Sequence, residues 1–313
     1  MDIITLTPNP ARDLYLLPDP TCPSDINLAR TLASHSGGKG INLSRALTVN
    51  SVDNLAVVFV GKEGAEEFLL PIYNIGVRVE PIYTEGKARE NINIQEGEGE
   101  RVISTDGPAV TRENIEELRR LLDGAVGEDT VLVLSGSIPE GSDKAALLAL
   151  LREYRALGAR IAVDSRSLTA AELLSLSPYV IKPNENEAAA LFGRRPTSLA
   201  DAAKIAETIR GMGCENVLLT MGGMGAVLAA EDGVYFAKAP KIIPVSTVGA
   251  GDSTLAGFLA ARSLGKSSPD ALAIAMSWGS AACMEEGSMP PRPEKIDDLF
   301  TRISVREYKR NVN

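Results

Sequence analysis

The sequence predicts an α/β fold with a mainly parallel sheet, and the alternation of two residue patterns carries this prediction. Over most of the 313 residues, short apolar and β-branched runs alternate with longer segments whose apolar residues recur at helical spacing. Strands and helices in alternation form right-handed crossover units with parallel strands. No low-complexity linker or repeat interrupts the pattern, so we expect a single domain over residues 1–303 and a polar, fraying tail over residues 304–313.

Each predicted strand is a short apolar run that ends at a turn, and each predicted helix has an apolar stripe. The predicted strands are residues 3–7, 55–60, 130–134, 160–163, 179–181, 216–220, 225–230 and 234–237, with an extended segment ending at 241–245. The predicted helices are residues 64–75, 112–122, 143–157, 168–176, 185–192, 198–212, 251–264, 269–286 and 295–303, with another after the glycines at 37–40.

Residues 79–105 have a different sequence pattern. Short β-like runs at 79–83, 92–95 and 101–104 carry few helix signals, and the Glu/Gly run at 96–100 is typical of an exposed hairpin connection. We expect a small antiparallel sheet that acts as a lid, with lid segments near 10–35 and 86–105. Arg89, Asn91 and Asn93 share one strand face, which is either solvated or touches a ligand when the lid closes.

Composition excludes several classes of protein. With 44% apolar and 23% charged residues, the chain can bury a large core. The net charge of −9 argues against a nucleic-acid partner. No apolar run reaches the length of a membrane span and no signal peptide is evident, so no membrane partner is expected. Cys22, Cys214 and Cys283 support neither a disulfide framework nor a zinc site, and they indicate a reduced, cytoplasmic setting.

The stretch S-T-V-G-A-G-D-S at residues 246–253 joins an extended segment to a helix. Gly249 and Gly251 allow backbone amides to approach a ligand, and a helix N-terminus favours anions. Asp252 is either a helix N-cap or a base that takes a proton from an attacking hydroxyl while the amides hold a transferring phosphoryl group. The residues alone leave both interpretations open.

Two polar positions near the start of the chain could also contact a ligand. G-G-K-G-I-N at 37–42 is a glycine-rich helix entry without Walker A spacing, so Lys39 either pairs with a phosphate or is solvated. Asp13 follows the turn after the first strand, where it either caps that turn or contacts a ligand. His35 has no partner pattern and is interpreted as an ordinary loop residue.

K-P-N-E-N-E at 182–187 lies between a strand and a helix. Asn184 and Glu187 have the spacing of a capping box, and both could also hold water around Mg²⁺. Three other strand ends carry S-G-S at 135–137, D-S-R at 164–166 and T-M-G-G-M-G at 220–225. Ligands of open α/β sheets bind at such ends. The glycines of the last stretch either approach a nucleotide or turn a hairpin.

Five stretches together resemble the ribokinase-like (PfkB) carbohydrate kinases. They are T-P-N-P-A-R-D at 7–13, G-G-K-G-I-N at 37–42, S-G-S-I-P at 135–139, K-P-N-E-N-E at 182–187 and T-V-G-A-G-D-S at 247–253. The resemblance implies the ribokinase-like three-layer α/β/α fold with a small β-sheet lid. Within the family it is strongest to the sugar-phosphate kinases, although D-S-R-S at 164–167 departs from the usual D-x-S-G.

The resemblance also implies roles for individual residues. Asp252 is the catalytic base, and the anion hole consists of the amides of Gly249, Ala250 and Gly251. The nucleotide side is lined by Lys182, Asn184, Thr220, Gly222, Gly225, Ser246 and Thr247. Mg²⁺ is served by Asn184 and Glu187. The sugar phosphate is held by Asp13, Gly38, Lys39, Asn42, Arg89 and Ser137.

The expected function is the phosphorylation of a ketohexose phosphate by ATP with Mg²⁺. Fructose 1-phosphate is the first choice of substrate and tagatose 6-phosphate the second. The alternatives are a kinase of an unphosphorylated sugar or nucleoside, which Lys39 and Arg89 argue against, and a non-catalytic sugar-phosphate sensor, which Asp252 argues against. A dinucleotide oxidoreductase is disfavoured because no G-x-G-x-x-G follows the first strand. A homodimer through the lid is a further expectation.

Overall fold

The computed structural model describes residues 1–19, 28–96 and 99–309. The strands are β1 (Asp2–Thr7), β2 (Ala11–Pro18), β3 (Ala29–Gly37), β4 (Asn54–Glu63), β5 (Val79–Lys87), β6 (Arg89–Glu96), β7 (Gly99–Ser104), β8 (Thr130–Ser135), β9 (Arg160–Asp164), β10 (Val180–Ile181), β11 (Asn216–Thr220), β12 (Ala226–Ala230), β13 (Gly233–Ala237) and β14 (Val305–Glu307). The helices are α1 (Lys39–Val49), α2 (Ala65–Asn74), α3 (Arg112–Leu122), α4 (Lys144–Ala156), α5 (Ala170–Leu174), α6 (Glu185–Phe192), α7 (Leu199–Gly211), α8 (Ala250–Ser263), α9 (Ser268–Ala282) and α10 (Pro293–Phe300).

Within the described residues, ten strands form one large sheet in the order β14-β13-β12-β11-β10-β9-β8-β1-β4-β5. Neighbours from β5 to β11 pair in parallel, and β11 to β14 pair antiparallel. The chain leaves β1 for β4 on one side and later returns to β8 on the other. This reversal creates a crevice beyond the carboxyl ends of β1 and β8, which is where open α/β sheets bind ligands.

Alternating side chains of the central strands enter two separate cores, because successive residues of a strand point to opposite faces. Leu132 and Leu134 of β8 pack with α3, α4 and α7 on one face. Val131 and Val133 pack with α1, α8, α9 and α10 on the other. Burial on both faces explains why these strands have continuous apolar sequences. The arrangement confirms the predicted three-layer α/β/α class with a mainly parallel sheet.

A second, four-stranded sheet of order β3-β2-β6-β7 lies apart from the large sheet, and it confirms the predicted small sheet. It differs from the expectation in two respects. Its central strands β2 and β6 run parallel, whereas the outer pairs are antiparallel, so the sheet is mixed. The run at 79–83 is not part of it, because β5 pairs with β4 as an edge of the large sheet. Residues 20–27 of the first predicted lid segment, including Cys22, and residues 97–98 of the hairpin lie outside the described residues.

Most predicted helices and strands are present, with ends that differ by a few residues, and the larger differences fall near the C-terminus. The helix predicted at 269–286 ends at Ala282. Residues 241–245 form no strand. The tail was expected to fray, but residues 305–307 form β14, which pairs with β13 and thereby extends the large sheet; residues 310–313 lie outside the described part. None of the helices described is long and apolar enough to cross a membrane.

Candidate active site

A cleft of about 1260 Å³ opens at the carboxyl ends of the central strands, between the large sheet and the small one. It is lined by the ends of β1, β8, β10 and β11, the start of α8, and one face of β2 and β6. The turns after β1 and β8 are joined directly, because Asn9 Nδ2 donates a hydrogen bond to Ser137 Oγ at 3.0 Å. The cleft therefore lies at the crevice that the strand order predicts.

Asp252 lies at the floor of this cleft in the first turn of α8. The N-cap of α8 is Gly249, with φ of 77°, and no side chain caps this helix, so the N-cap interpretation of Asp252 is wrong. Asn42 Nδ2 donates a hydrogen bond to Asp252 Oδ2 at 2.8 Å, which holds the carboxylate in place. Among the described backbone atoms, no carbonyl accepts from the N–H of Gly251, so this amide remains available to an anion at the helix N-terminus.

Two lysines meet a single buried carboxylate beside the start of α8. Asp164, at the end of β9, is 2.8 Å from Lys39 Nζ and 3.2 Å from Lys182 Nζ. Lys39 Nζ also lies 3.3 Å from Glu187 Oε1. A Cβ at residue 251 would lie 3.1 Å from Lys182 Nζ, so the glycine there permits the ammonium group to approach the first turn of α8.

These charges perturb one another because they share a site that water barely reaches. Burial, followed by the negative charge of Asp164, raises the pKa of Asp252 to about 6. The hydrogen bond from Asn42 and the charges of Lys39 and Lys182 act in the opposite direction. For Asp164, burial raises the pKa, but the two lysines outweigh it and the net pKa is lowered. Asp252 is therefore a base poised close to neutral pH, next to a carboxylate that stays ionised.

Asn184 and Glu187 form the predicted capping box at the start of α6. Asn184 Oδ1 accepts from the backbone N–H of Glu187 at 2.9 Å, and Glu187 Oε2 accepts from the N–H of Asn184 at 3.0 Å. Glu187 Oε1 still faces Lys39 and the cleft. In the described part of the chain, no three His, Cys, Asp or Glu side chains are grouped to hold a metal alone. A metal here would need phosphate and water oxygens in addition.

The opposite wall of the cleft is a hydrogen-bonded row across the small sheet. The register places His35, Asp13, Asn91 and Ser104 side by side on successive strands. Asn91 Nδ2 donates to Asp13 Oδ1 at 2.6 Å, Ser104 Oγ donates to Asn91 Oδ1 at 2.6 Å, and Arg89 Nη2 donates to Ser104 Oγ at 2.8 Å. This row fixes Asp13 and Arg89 toward the cleft. His35 is therefore a strand residue and not a loop residue, and its ring meets Tyr15 edge-on at 5.7 Å.

The nucleotide side predicted from the resemblance forms the far end of the same cleft. Thr220, Gly222, Gly225 and Thr247 line it together with apolar groups of Ala239, Ile242, Met276 and Cys283. Residues 222–224 form a 3₁₀ turn that connects the antiparallel strands β11 and β12, so the hairpin interpretation is confirmed, and the approach of these glycines to a nucleotide stays a prediction. Ser246 is the exception among the predicted residues. It does not line the cleft, and its Oγ accepts from the N–H of Val248 at 3.2 Å.

Every other predicted site residue lines this one cleft, including Gly38, Lys39, Ala250 and Ser137. The ammonium group of Lys39 is paired with Asp164 and Glu187, so its expected role toward the sugar phosphate stays a prediction. Sequence reasoning missed Asp164 as the partner of both lysines and gave no role to Arg166. The signal for both was the position of D-S-R at a strand end.

The profile of the pfkB family carbohydrate kinases matches residues 11–295, which is most of the chain. The chain belongs to the pfkB family of carbohydrate kinases. Two pfkB-type relatives carry the name 1-phosphofructokinase. The protein of Haloferax volcanii is 32% identical over 304 residues, covering 97% of this chain and 98% of the relative. The protein of Bacillus subtilis is 30% identical over 288 residues, covering 91% and 93%.

The fold of this pfkB kinase is also that of solved structures. Phosphofructokinase-2 of Escherichia coli in complex with substrates and products superimposes with a TM-score of 0.86 at 23% identity, covering 96% of this chain and 99% of the other. The tetrameric inhibited form of the same enzyme gives a TM-score of 0.84, again covering 96% of this chain, and 98% of the other. At this level of identity the likeness establishes the fold alone.

Proposed function

We propose that this protein transfers the γ-phosphoryl group of ATP to fructose 1-phosphate and forms fructose 1,6-bisphosphate. The observation that carries the proposal is Asp252, held by Asn42 at the floor of the cleft beside the open N-terminus of α8. The two relatives named as 1-phosphofructokinases match nearly the full length of the chain and support the choice of substrate.

The reaction follows from the arrangement around Asp252. The substrate hydroxyl oxygen attacks the γ-phosphorus, its proton passes to the Asp252 carboxylate, and the bond to the bridging oxygen breaks so that ADP leaves with the electron pair. Asn42 binds only Oδ2, so Oδ1 remains to accept the proton. The amides of Gly249 and Gly251 and the ammonium group of Lys182 stabilise the negative charge that spreads over the phosphoryl oxygens. The N–H of Ala250 donates to the carbonyl of Thr247 at 3.4 Å and would turn from it to join them.

Mg²⁺ and ATP occupy the end of the cleft near α6 and β11 in this proposal. Glu187 and Asn184 offer carboxylate and amide oxygens, which suit a cation that retains several waters and phosphate ligands. The metal supplies charge neutralisation at the phosphates when bound. Lys39, which is paired with Asp164 and Glu187, belongs to this end and contributes positive charge near the transferring group.

The small sheet forms the lid over the sugar in this proposal. Its cleft face presents Asp13 and Arg89, where Asp13 accepts hydrogen bonds from sugar hydroxyls and the Arg89 guanidinium binds the phosphate that the sugar already carries. Closing this sheet over the sugar would exclude water from the γ-phosphate, which would otherwise be hydrolysed.

The other face of the lid supports a homodimer. Leu14, Leu16, Ile92, Ile94 and Ile103 lie on that face and remain partly or largely exposed among the described residues. An apolar sheet face of this kind is typical of a protein interface, and the tetrameric form of the E. coli relative indicates that proteins of this fold self-associate. Light scattering should give the mass of a dimer. Ile92→Glu should dissociate it, and Leu70→Glu on exposed α2 should not.

Substrate profiling tests the proposed function. Purified protein is supplied with ATP and Mg²⁺ and offered fructose 1-phosphate, fructose 6-phosphate, tagatose 6-phosphate, fructose and a nucleoside, with ADP release as the readout. We expect the highest kcat/KM for fructose 1-phosphate. A preference for tagatose 6-phosphate would change the substrate but not the class, a preference for a free sugar or nucleoside would overturn it, and binding without turnover would indicate a sensor.

A further inference from the structure

Arg166 is a second arginine at the sugar end of the cleft. It follows β9, its side chain is exposed, and it lines the same cavity as Arg89 and Ser137. Within the described residues, its guanidinium makes no hydrogen bond and no ion pair. An arginine that faces a ligand cleft without a protein partner has all of its N–H donors available to a ligand.

Hydrogen bonds fix the backbone before and after Arg166. Gly136 donates its N–H to the carbonyl of Asp164 at 3.0 Å. Ser165 Oγ accepts from the N–H of Ser167 at 3.2 Å, and Ser167 Oγ accepts from the N–H of Ile138 at 2.9 Å. Both serine side chains are therefore used inside the turn, and Arg166 alone is left to reach the cleft from a fixed position.

Arg89 lines the same cleft as Arg166, and among the described residues it forms no ion pair with a carboxylate. Its Nη2 donates to Ser104 Oγ and its Nε to the carbonyl of Thr105 at 3.3 Å, and neither acceptor carries a charge. Burial lowers the pKa of Arg89; Asp13 raises it, the positive charge of Arg166 lowers it by a smaller amount than Asp13 raises it, and Asp106 also raises it. Because both guanidinium groups line one cavity, an anion bound between them would be attracted by both.

Two lysines of the cleft differ from this pair. Lys39 and Lys182 are neutralised by Asp164, with Glu187 as a second partner of Lys39. Among the described residues, the cleft cations without an ion-pair partner are Lys241, which lies beside Ala239 and Ile242 at the nucleotide side, and Arg89 and Arg166 at the opposite end. That end is where the phosphate already present on the acceptor sugar has to lie.

We propose that Arg166 is a specificity-determining residue that binds, together with Arg89, the existing phosphate of the sugar substrate. The inference rests on the proposed function, because it takes the acceptor to be a sugar phosphate. Two planar guanidinium groups can each give paired hydrogen bonds to one phosphate, which a hydroxyl in the same place would not use. The arginine pair thereby selects phosphorylated over free ketohexose.

The test compares Arg166→Gln, Arg166→Lys and the control Arg120→Gln, which removes an exposed arginine of α3 outside the cleft. Arg166→Gln should raise KM for fructose 1-phosphate by about ten- to a hundredfold. Its kcat and its KM for ATP should stay within about twofold, since the residue touches neither ATP nor the reacting atoms. Arg166→Lys keeps the charge without the planar fork and should recover part of the loss. Arg120→Gln should behave as the parent.

Calorimetric titration of the ATP-free protein with fructose 1-phosphate gives a second readout that does not depend on turnover. Weaker binding to Arg166→Gln, with an unchanged thermal midpoint, supports the inference. If the parent phosphorylates fructose 1-phosphate and Arg166→Gln keeps both its KM and its affinity, Arg166 has no such role although the proposed function stands. If the parent neither binds nor phosphorylates any sugar phosphate, the proposed function is wrong, and so is the role inferred for Arg89 and Arg166.

Discussion

Asp252→Asn should abolish turnover and at the same time stabilise the protein. Asp252 is 6% exposed, and its pKa is raised from 3.8 to about 6. A raised carboxyl pKa means that the folded state holds its proton more tightly than the unfolded state does. This contribution to stability is complete below pH 3.8 and is lost as the pH rises through about 6. The loss amounts to about 3 kcal/mol at neutral pH, and the asparagine variant does not suffer it.

The assay is urea unfolding of the parent and the variant without ligands, at about pH 4, 6 and 8. The difference in the free energy of unfolding should grow from near zero to about 3 kcal/mol in favour of the variant. Asp297→Asn, an exposed substitution on α10, is the control and should change stability by less than about 0.5 kcal/mol. The kcat of Asp252→Asn should fall by about 10²–10⁴-fold. A variant that is active, or whose stability difference is the same at every pH, would refute the reasoning.

Three other substitutions probe the same cluster. Asn42→Ala removes a donor to the Asp252 carboxylate, so the acid limb of the kcat/KM profile should move above pH 6, and an unmoved limb would contradict the base assignment. Glu187→Gln keeps an acceptor for the capping box, so the free energy of unfolding measured with denaturant should change little. The Mg²⁺ concentration needed for activity should rise. A loss of stability with an unchanged Mg²⁺ requirement would favour a purely structural role. Lys39→Met leaves buried Asp164 with one cation, so the free energy of unfolding should fall by about 1–2 kcal/mol and kcat should drop. A rise in KM for the sugar phosphate alone would instead indicate that Lys39 binds that phosphate.

The parts of the fold that the sequence predicted well are those whose signals are local. The predicted helix at 185–192 has the bounds observed for α6, because its N-cap Asn184 and the αL residue Gly193 define both ends within a few residues. The strands at 130–134 and 216–220 were recognisable because burial on both faces leaves them almost wholly apolar. Local signals of this kind are independent of what the element later packs against.

The errors concern partners that are distant along the chain. A β-like run at 79–83 does not show which sheet it joins, and its pairing with β4 follows from the crossover through α2. β2 was not predicted, because most of its residues are half-buried on both faces of the strand. Its sequence therefore lacks the alternation of apolar and polar residues by which a strand is recognised. β14 is a three-residue edge strand, and the polar sequence of the tail gives no signal for it. In each case the decisive interaction is a sheet pairing that no short window contains.

The site was predicted by residue type but not by charge pairing. Asp13, Asn42, Lys182 and Asp252 were all assigned to the site through the resemblance of their motifs to the pfkB kinases, and all four line the cleft. Which cation meets which carboxylate depends on side chains more than a hundred residues apart, as for Lys39 and Asp164, with a separation of 125 residues. The sequence therefore placed Lys39 in the site without its partners Asp164 and Glu187.

The division between paired and unpaired cations follows from how far water reaches into the cleft. Lys182 is 4% exposed, and a lone ammonium group at that depth would lose its hydration without compensation, so Asp164 has to accompany it. Arg166 is exposed and remains hydrated in the absence of substrate, so it can stay without a carboxylate partner. In a chain with a net charge of −9, Arg89 and Arg166 thus form no ion pair in the described part of the structure, and neither does Lys241 at the nucleotide side of the cleft. In the proposed function, a sugar phosphate would displace water from the arginines, whereas the transferred phosphoryl group would compete with Asp164 for the lysines.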